Sequence, residues 1–111
     1  MSRDKEVNRY QLSEVDRLIH EPARYNIMAL LCVVTRAEFL FVQNQSGMTS
    51  GNLSSHITKL AVAELLLIEK EFVGRKPRTY LRLTKKGRRV FKEYHKKMQE
   101  VFSQPSSGKR R

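Results

Sequence analysis

Apolar positions along the chain change period several times, and each change marks an element. Leu12, Val15, Leu18 and Ile19 recur at helical spacing. Ser13 stands ready to cap a short helix from Glu14 to about Ile19, with Asp16 three residues on as a weak form of the capping box. Pro22 suits the first turn of a second helix, where its missing N–H costs nothing. That helix carries Ala23, Ile27, Leu30, Leu31 and Val34 on one stripe. Met28, Ala29, Cys32 and Val33 make the rest of its surface apolar, which predicts the central buried helix, with Cys32 a small core residue. Residues 38–45 (EFLFVQNQ) fit strand or helix on pattern alone. The next residues decide for a helix: the turn glycine Gly47, a candidate N-cap at Thr49 or Ser50, and a helical stretch to about Ala63. A short helix, a tight turn and a second helix form a helix-turn-helix.

At 100° per residue, Leu53, Ile57 and Leu60 of that second helix fall within about 60° of one another and define a buried stripe. The opposite half holds Gly51, Asn52, Ser55, Thr58, Lys59 and Val62. Apart from Val62 these are small, hydrogen-bonding or cationic, and none is a carboxylate. An ordinary solvent-facing helix mixes Glu with Lys. A slim face free of acids suits contact with phosphates and base edges.

Period two takes over at residues 65–72, where Leu66, Ile68, Lys70 and Phe72 alternate with Leu67, Glu69 and Glu71. Residues 73–78 (VGRKPR) read as a turn, with Pro77 barring extension of the ladder, and residues 79–83 (TYLRL) as the returning strand. The hairpin tip then holds Arg75, Lys76 and Arg78, three cations that repel one another without structural gain. Thr84 caps a last helix. Lys85 and Lys86 occupy its first turn, the wrong sign for the helix dipole, and such local violations often mark functional positions. Phe91, Tyr94, Met98 and Val101 recur at 3, 4, 3 spacing with Val90 and Phe102 alongside, a short apolar seam flanked by Lys92, Lys96 and Lys97. The seam predicts a dimer interface through Phe91, Tyr94, Met98, Val101 and Phe102.

Composition narrows the class. The 111 residues, 40% hydrophobic and 30% charged, suffice for one small domain over residues 12–103, with a flexible N-terminus (1–11) and a disordered basic tail (104–111). The longest apolar run, residues 27–34, falls far short of the roughly 18 residues of a membrane span, and no signal peptide is visible. A lone Cys32 excludes an intrachain disulfide framework and any multi-thiolate metal site. His20, His56 and His95 are too widely spaced for a recognisable site, so no metal or cofactor is expected. His56, near the buried side of its helix, reads as structural. Neither a phosphate-binding glycine loop nor a nucleophile–base motif is present, which argues against an enzyme.

Net charge is +11, and its distribution matters more than its size. Residues 1–68 carry seven basic and seven acidic groups, whereas residues 69–111 carry 15 basic and four acidic ones. A field so localised calls for a polyanionic partner, nucleic acid before an anionic membrane.

The order of elements is that of a winged helix-turn-helix domain, mainly α with a small β-hairpin. The residues resemble the short winged-helix regulators related to the multiple-antibiotic-resistance and arsenical-resistance repressor families. Matching stretches are residues 18–24 (LIHEPAR), 37–39 (AEF), 47–60 (GMTSGNLSSHITKL), 69–79 (EKEFVGRKPRT) and 83–87 (LTKKG). The resemblance implies a homodimeric regulator of double-stranded DNA, cytoplasmic and nucleoid-associated. It places Thr49, Ser50, Gly51, Asn52, Ser54, Ser55, Thr58 and Lys59 on a recognition helix, and Arg75, Lys76 and Arg78 on the wing. Lys85, Lys86, Arg88 and Arg89 stand where they can extend the backbone contact. The metal-sensing cysteine pairs of the related repressors are absent, and no residue set argues for a small-molecule effector. Two other readings use the same features: a sequence-tolerant architectural DNA binder, and a winged helix serving as a protein-interaction module. Relatives usually close the recognition helix with Ala-Gly-aromatic, whereas this chain reads Ala63-Glu64-Leu65. Glutamate adopts the left-handed C-cap only at a cost. The helix is therefore expected to run longer, or the hairpin to enter at another angle.

Overall fold

Four of the five described helices start at a side-chain cap. The computed structural model describes residues 12–103; the expected flexible N-terminus and basic tail lie outside these. Ser13 caps α1 (Glu14–His20) with a complete capping box: its hydroxyl accepts from the Asp16 amide at 3.1 Å, and the Asp16 carboxylate accepts from the Ser13 amide at 3.2 Å. Glu21 caps α2 (Pro22–Cys32) by accepting from the Arg24 amide, with Pro22 in the first turn as expected. A two-residue strand β1 (Ala37–Glu38) leads into α3 (Phe39–Ser46). Gly47 closes α3 in the left-handed region at φ 72°, where a side chain would be strained. Thr49, one of the two candidates, is the N-cap of α4 (Ser50–Val62).

The hairpin β2 (Leu66–Val73) and β3 (Lys76–Leu83) is longer than its sequence suggests, and the expected six-residue turn shrinks to Gly74 and Arg75. Only Gly74 (φ 67°) has positive φ there, the pattern of a type II′ turn. Pro77 lies inside the ladder opposite Phe72. In a two-residue hairpin the pair flanking the turn, here Val73 and Lys76, exchanges hydrogen bonds and the next pair does not. Proline's missing N–H therefore forfeits nothing at position 77. The sheet order is β1-β3-β2, all antiparallel, with Ala37 opposite Leu81 and Glu38 opposite Tyr80.

The last helix, α5 (Lys85–Phe102), is capped by Thr84, whose hydroxyl accepts from the Gly87 amide at 2.8 Å. Ile19, Ile27, Met28, Leu31, Val42, Leu53, Ile57, Leu60, Leu65, Leu66, Leu81 and Leu83 form one core, closed by Val90, Phe91 and Tyr94 of α5. The predicted stripe of α4 is thus the buried one. α2 is less central than expected. Ile27, Met28 and Leu31 are buried, but Cys32 is only half-buried and Val33 is exposed.

Glu64 corrects the expectation about the end of α4. It takes the left-handed conformation itself (φ 65°), so the helix does not run on. The Leu65 amide donates to the Leu60 carbonyl at 3.0 Å and the Glu64 amide to the Ala61 carbonyl at 2.9 Å, the two bonds of a Schellman motif. Leu60 and Leu65 are both fully buried, which supplies the apolar contact that accompanies the motif. Core packing around Leu65 overrides the local preference for glycine.

Candidate nucleic-acid interface

Burial of Leu53, Ile57 and Leu60 fixes the rotation of α4, and with it the face left outside. Thr49, Ser50, Gly51, Asn52, Ser54, Ser55, Thr58 and Lys59 are all exposed. Gly51 has nothing near the position a Cβ would take, so the start of α4 is open to approach. The N-cap bond from the Asn52 amide to the Thr49 hydroxyl (3.1 Å) leaves the Ser50 and Gly51 amides at the tip of the helix. Val62, 78% exposed, adds one apolar group at the far end. His56 is half-buried, with Nδ1 3.1 Å from the Arg24 guanidinium, the structural role expected of it.

The basic residues divide into two sets. Several are held within the fold. Arg88 donates to the carbonyls of Cys32 (2.9 Å) and Val34 (2.7 Å), satisfying the C-terminal end of α2. Lys86 donates to the Ala63 carbonyl at 3.3 Å and lies 3.9 Å from Glu64, so its charge faces the C-terminal end of α4. That contact explains a lysine with the wrong sign for its own helix. Arg78 is not at the hairpin tip; its guanidinium bonds Glu38 at 2.5 Å, which raises its pKa further. Arg36 bridges Glu69 (3.3 Å) and Glu71 (2.6 Å) and stacks 3.8 Å above the Tyr80 ring, while Arg82 bonds Glu69 at 2.5 Å. The hydrogen bond from Arg36 holds the Glu71 carboxyl below the usual carboxylate range. Sequence pattern gave no sign of this network because β1, two residues long, has no period to detect.

The second set faces outward. Lys59, Lys70, Arg75, Lys76 and Lys85 make no ion pair or side-chain hydrogen bond with another described residue. Arg89 is loosely placed 3.9 Å from Glu93, both largely exposed.

The apolar seam of α5 divides: its first half is turned inward and its second half is left open. Phe91 and Tyr94 are buried against their own domain, Phe91 packing on the Tyr25 ring at 5.2 Å. The Tyr94 hydroxyl bonds His20 Nδ1, and burial, with Asp16 and Tyr25 nearby, pushes its pKa up, so the phenol stays protonated. Met98 and Val101 are half-buried and Phe102 is exposed. Beside them a furrow of about 410 Å³ runs between α5 and the α1–α2 corner, lined by His20, Tyr25, Tyr94, Met98 and Phe102 among others. Among the described residues no helix is long and apolar enough to cross a membrane, and no group of three or more His, Cys, Asp or Glu could hold a metal ion.

A helix-turn-helix with an exposed acid-free second helix, followed by a cationic two-stranded wing, defines a winged helix. Residues 23–102 match the family model of the winged helix DNA-binding domain. The chain belongs to that family. It is 30% identical over 78 residues to an uncharacterized protein of Methanocaldococcus jannaschii, MJ0432, covering 70% of this chain and 85% of that one. A solved structure of a transcriptional regulator homologue from Pyrococcus horikoshii superposes with a TM-score of 0.74 at 29% identity, covering 78% of this chain and 85% of that one. The homodimeric winged helix-turn-helix domain of Mb0332 from Mycobacterium bovis, described as a possible ArsR-family regulator, shares the fold. Its TM-score is 0.64 at 19% identity, over 91% of this chain and 85% of that one.

Proposed function

We propose that the protein is a transcriptional regulator that binds specific double-stranded DNA sites as a homodimer. Two copies of α4 enter successive major grooves, and the wings hold the flanking backbone. The observation that carries this reading is the exposed, acid-free face of α4 beside an open helix N-terminus. Ser50 and Gly51 offer amides to a phosphate. Asn52, Ser54, Ser55, Thr58 and Lys59 read base edges or backbone oxygens. Lys85 and Arg89 extend the backbone grip with Arg75 and Lys76. Arg78, Lys86 and Arg88 shape the fold around that grip.

Dimerisation in this reading narrows to Met98, Val101 and Phe102 and the furrow beside them. The homodimeric state of Mb0332, built on the same fold, supports pairing of two copies. The regulator named in the Pyrococcus horikoshii relative supports a role in transcription, and a nucleoid-associated place in the cytoplasm follows from that role. Selection of duplexes from a random DNA pool by the full chain, followed by footprinting and sedimentation of the complex, tests the proposal. Discrete two-fold-symmetric protected sites bound by two chains are expected. Uniform coating of the duplex would replace a specific regulator with an architectural binder.

A further inference from the structure

The register of the wing sorts its side chains by face. One face carries Leu67, Glu69, Glu71, Tyr80, Arg78 and Arg82, where charges are paired with one another and with Arg36 and Glu38. The other starts as core at Leu66, Leu81 and Leu83, then runs past the body of the domain through Lys70, Phe72, Pro77 and Thr79. No acid lies on this second face. Phe72 is 75% exposed there, opposite Pro77. Lys70 on the same face and Arg75 and Lys76 at the turn have no partner among the described residues. A largely exposed aromatic ring, opposite a proline, with one unpaired cation on its face and two more at the turn, is poorly explained as hairpin packing, since most of its surface stays in water.

We propose that Phe72, backed by Pro77, is an apolar wedge that seats against the sugars of the DNA minor groove while Lys70, Arg75 and Lys76 hold the phosphates on either side. Charge complementarity selects this occupant: an apolar tip on an acid-free face, with Lys70 beside it and Arg75 and Lys76 at the turn, fits a surface whose walls are apolar deoxyribose and whose rims are anionic. Such a contact lets the wing read groove width and deformability at positions the helix does not touch. The proposal rests on the DNA-binding reading above and deepens it.

The test uses the full chain and a duplex selected by the wild type from a random pool. Affinity, its salt dependence and hydroxyl-radical protection are compared for wild type, Phe72→Ala, Phe72→Leu and Arg75→Ala, with NMR cross-strand contacts between Glu69 and Tyr80 checking that the hairpin persists. Phe72→Ala should weaken binding about tenfold, lose the minor-groove protection flanking the helix contacts, and keep the salt slope, because no cation is removed. Phe72→Leu should recover most of the affinity. Arg75→Ala should instead flatten the slope by about one for each phosphate that is no longer neutralised. Wild-type affinity and footprint in Phe72→Ala, with DNA binding intact, overturn the wedge alone. So does a change confined to self-association, which would assign the tip to contact between copies. A wild type that binds no duplex overturns the wedge and the DNA-binding reading together.

Discussion

Gly87 shows how much one hydrogen atom in place of a methyl can decide. A Cβ built on it would lie 2.0 Å from the Leu65 carbonyl oxygen, which is fixed because it accepts from the Thr84 amide while the Leu65 amide is tied to Leu60. Gly87→Ala should therefore lose at least about 2 kcal/mol of stability in denaturant titration, since backbone on both sides must move. Glu64 is the reverse case, an L residue where glycine belongs. Glu64→Gly should gain about 1 kcal/mol by the same titration, as its exposed contact to Lys86 at 3.9 Å offers little in return. Asp16 supplies a pH dependence. Burial pushes its carboxyl up, but hydrogen bonds from Lys97 and the Ser13 backbone outweigh that and hold it below its ordinary value of 3.8. Its contribution is complete above that value and lost as pH falls through the lower folded-state value. Acid titration of stability should show this loss in the wild type and a flatter profile in Asp16→Asn.

At the scale of elements, the division of cations between the fold and the solvent makes a sharp contrast. Arg88→Ala should cost about 1–2 kcal/mol of stability, because two carbonyls at the end of α2 lose a charged donor, yet it should leave the salt slope of DNA binding nearly unchanged. Arg75→Ala should do the opposite; melting curves and binding titrations on the same two variants separate the roles. This division also marks how far the sequence could be read. Period, caps and turn residues announced every helix and the hairpin, because Leu53, Ile57 and Leu60 or Ser13 and Asp16 act through spacing alone. Partners distant in sequence were not legible. Lys86 with Ala63, Arg88 with Cys32 and Arg78 with Glu38 are separated by 23, 56 and 40 residues. The same blindness hid that Tyr25 and His20 cover Phe91 and Tyr94 within their own domain, leaving Met98, Val101 and Phe102 as the open part of the α5 seam.

At the scale of the whole molecule, the surplus of +11 includes two kinds of charge among the described residues. Part of it caps the ends of α2 and α4 from α5 and pairs the wing with Arg36 and with Glu38 of β1. Another part, Lys59 on α4, Lys70, Arg75 and Lys76 on the wing and Lys85 at the start of α5, stands unpaired among the described residues, around a reading face that is nearly uncharged. Such a layout gives DNA affinity through the backbone and selectivity through a few polar groups. The salt dependence of affinity for a selected duplex tests it most directly. If about six phosphates are neutralised per dimer, log K plotted against log salt should fall with a slope near −5. An affinity that does not change with salt would contradict the account.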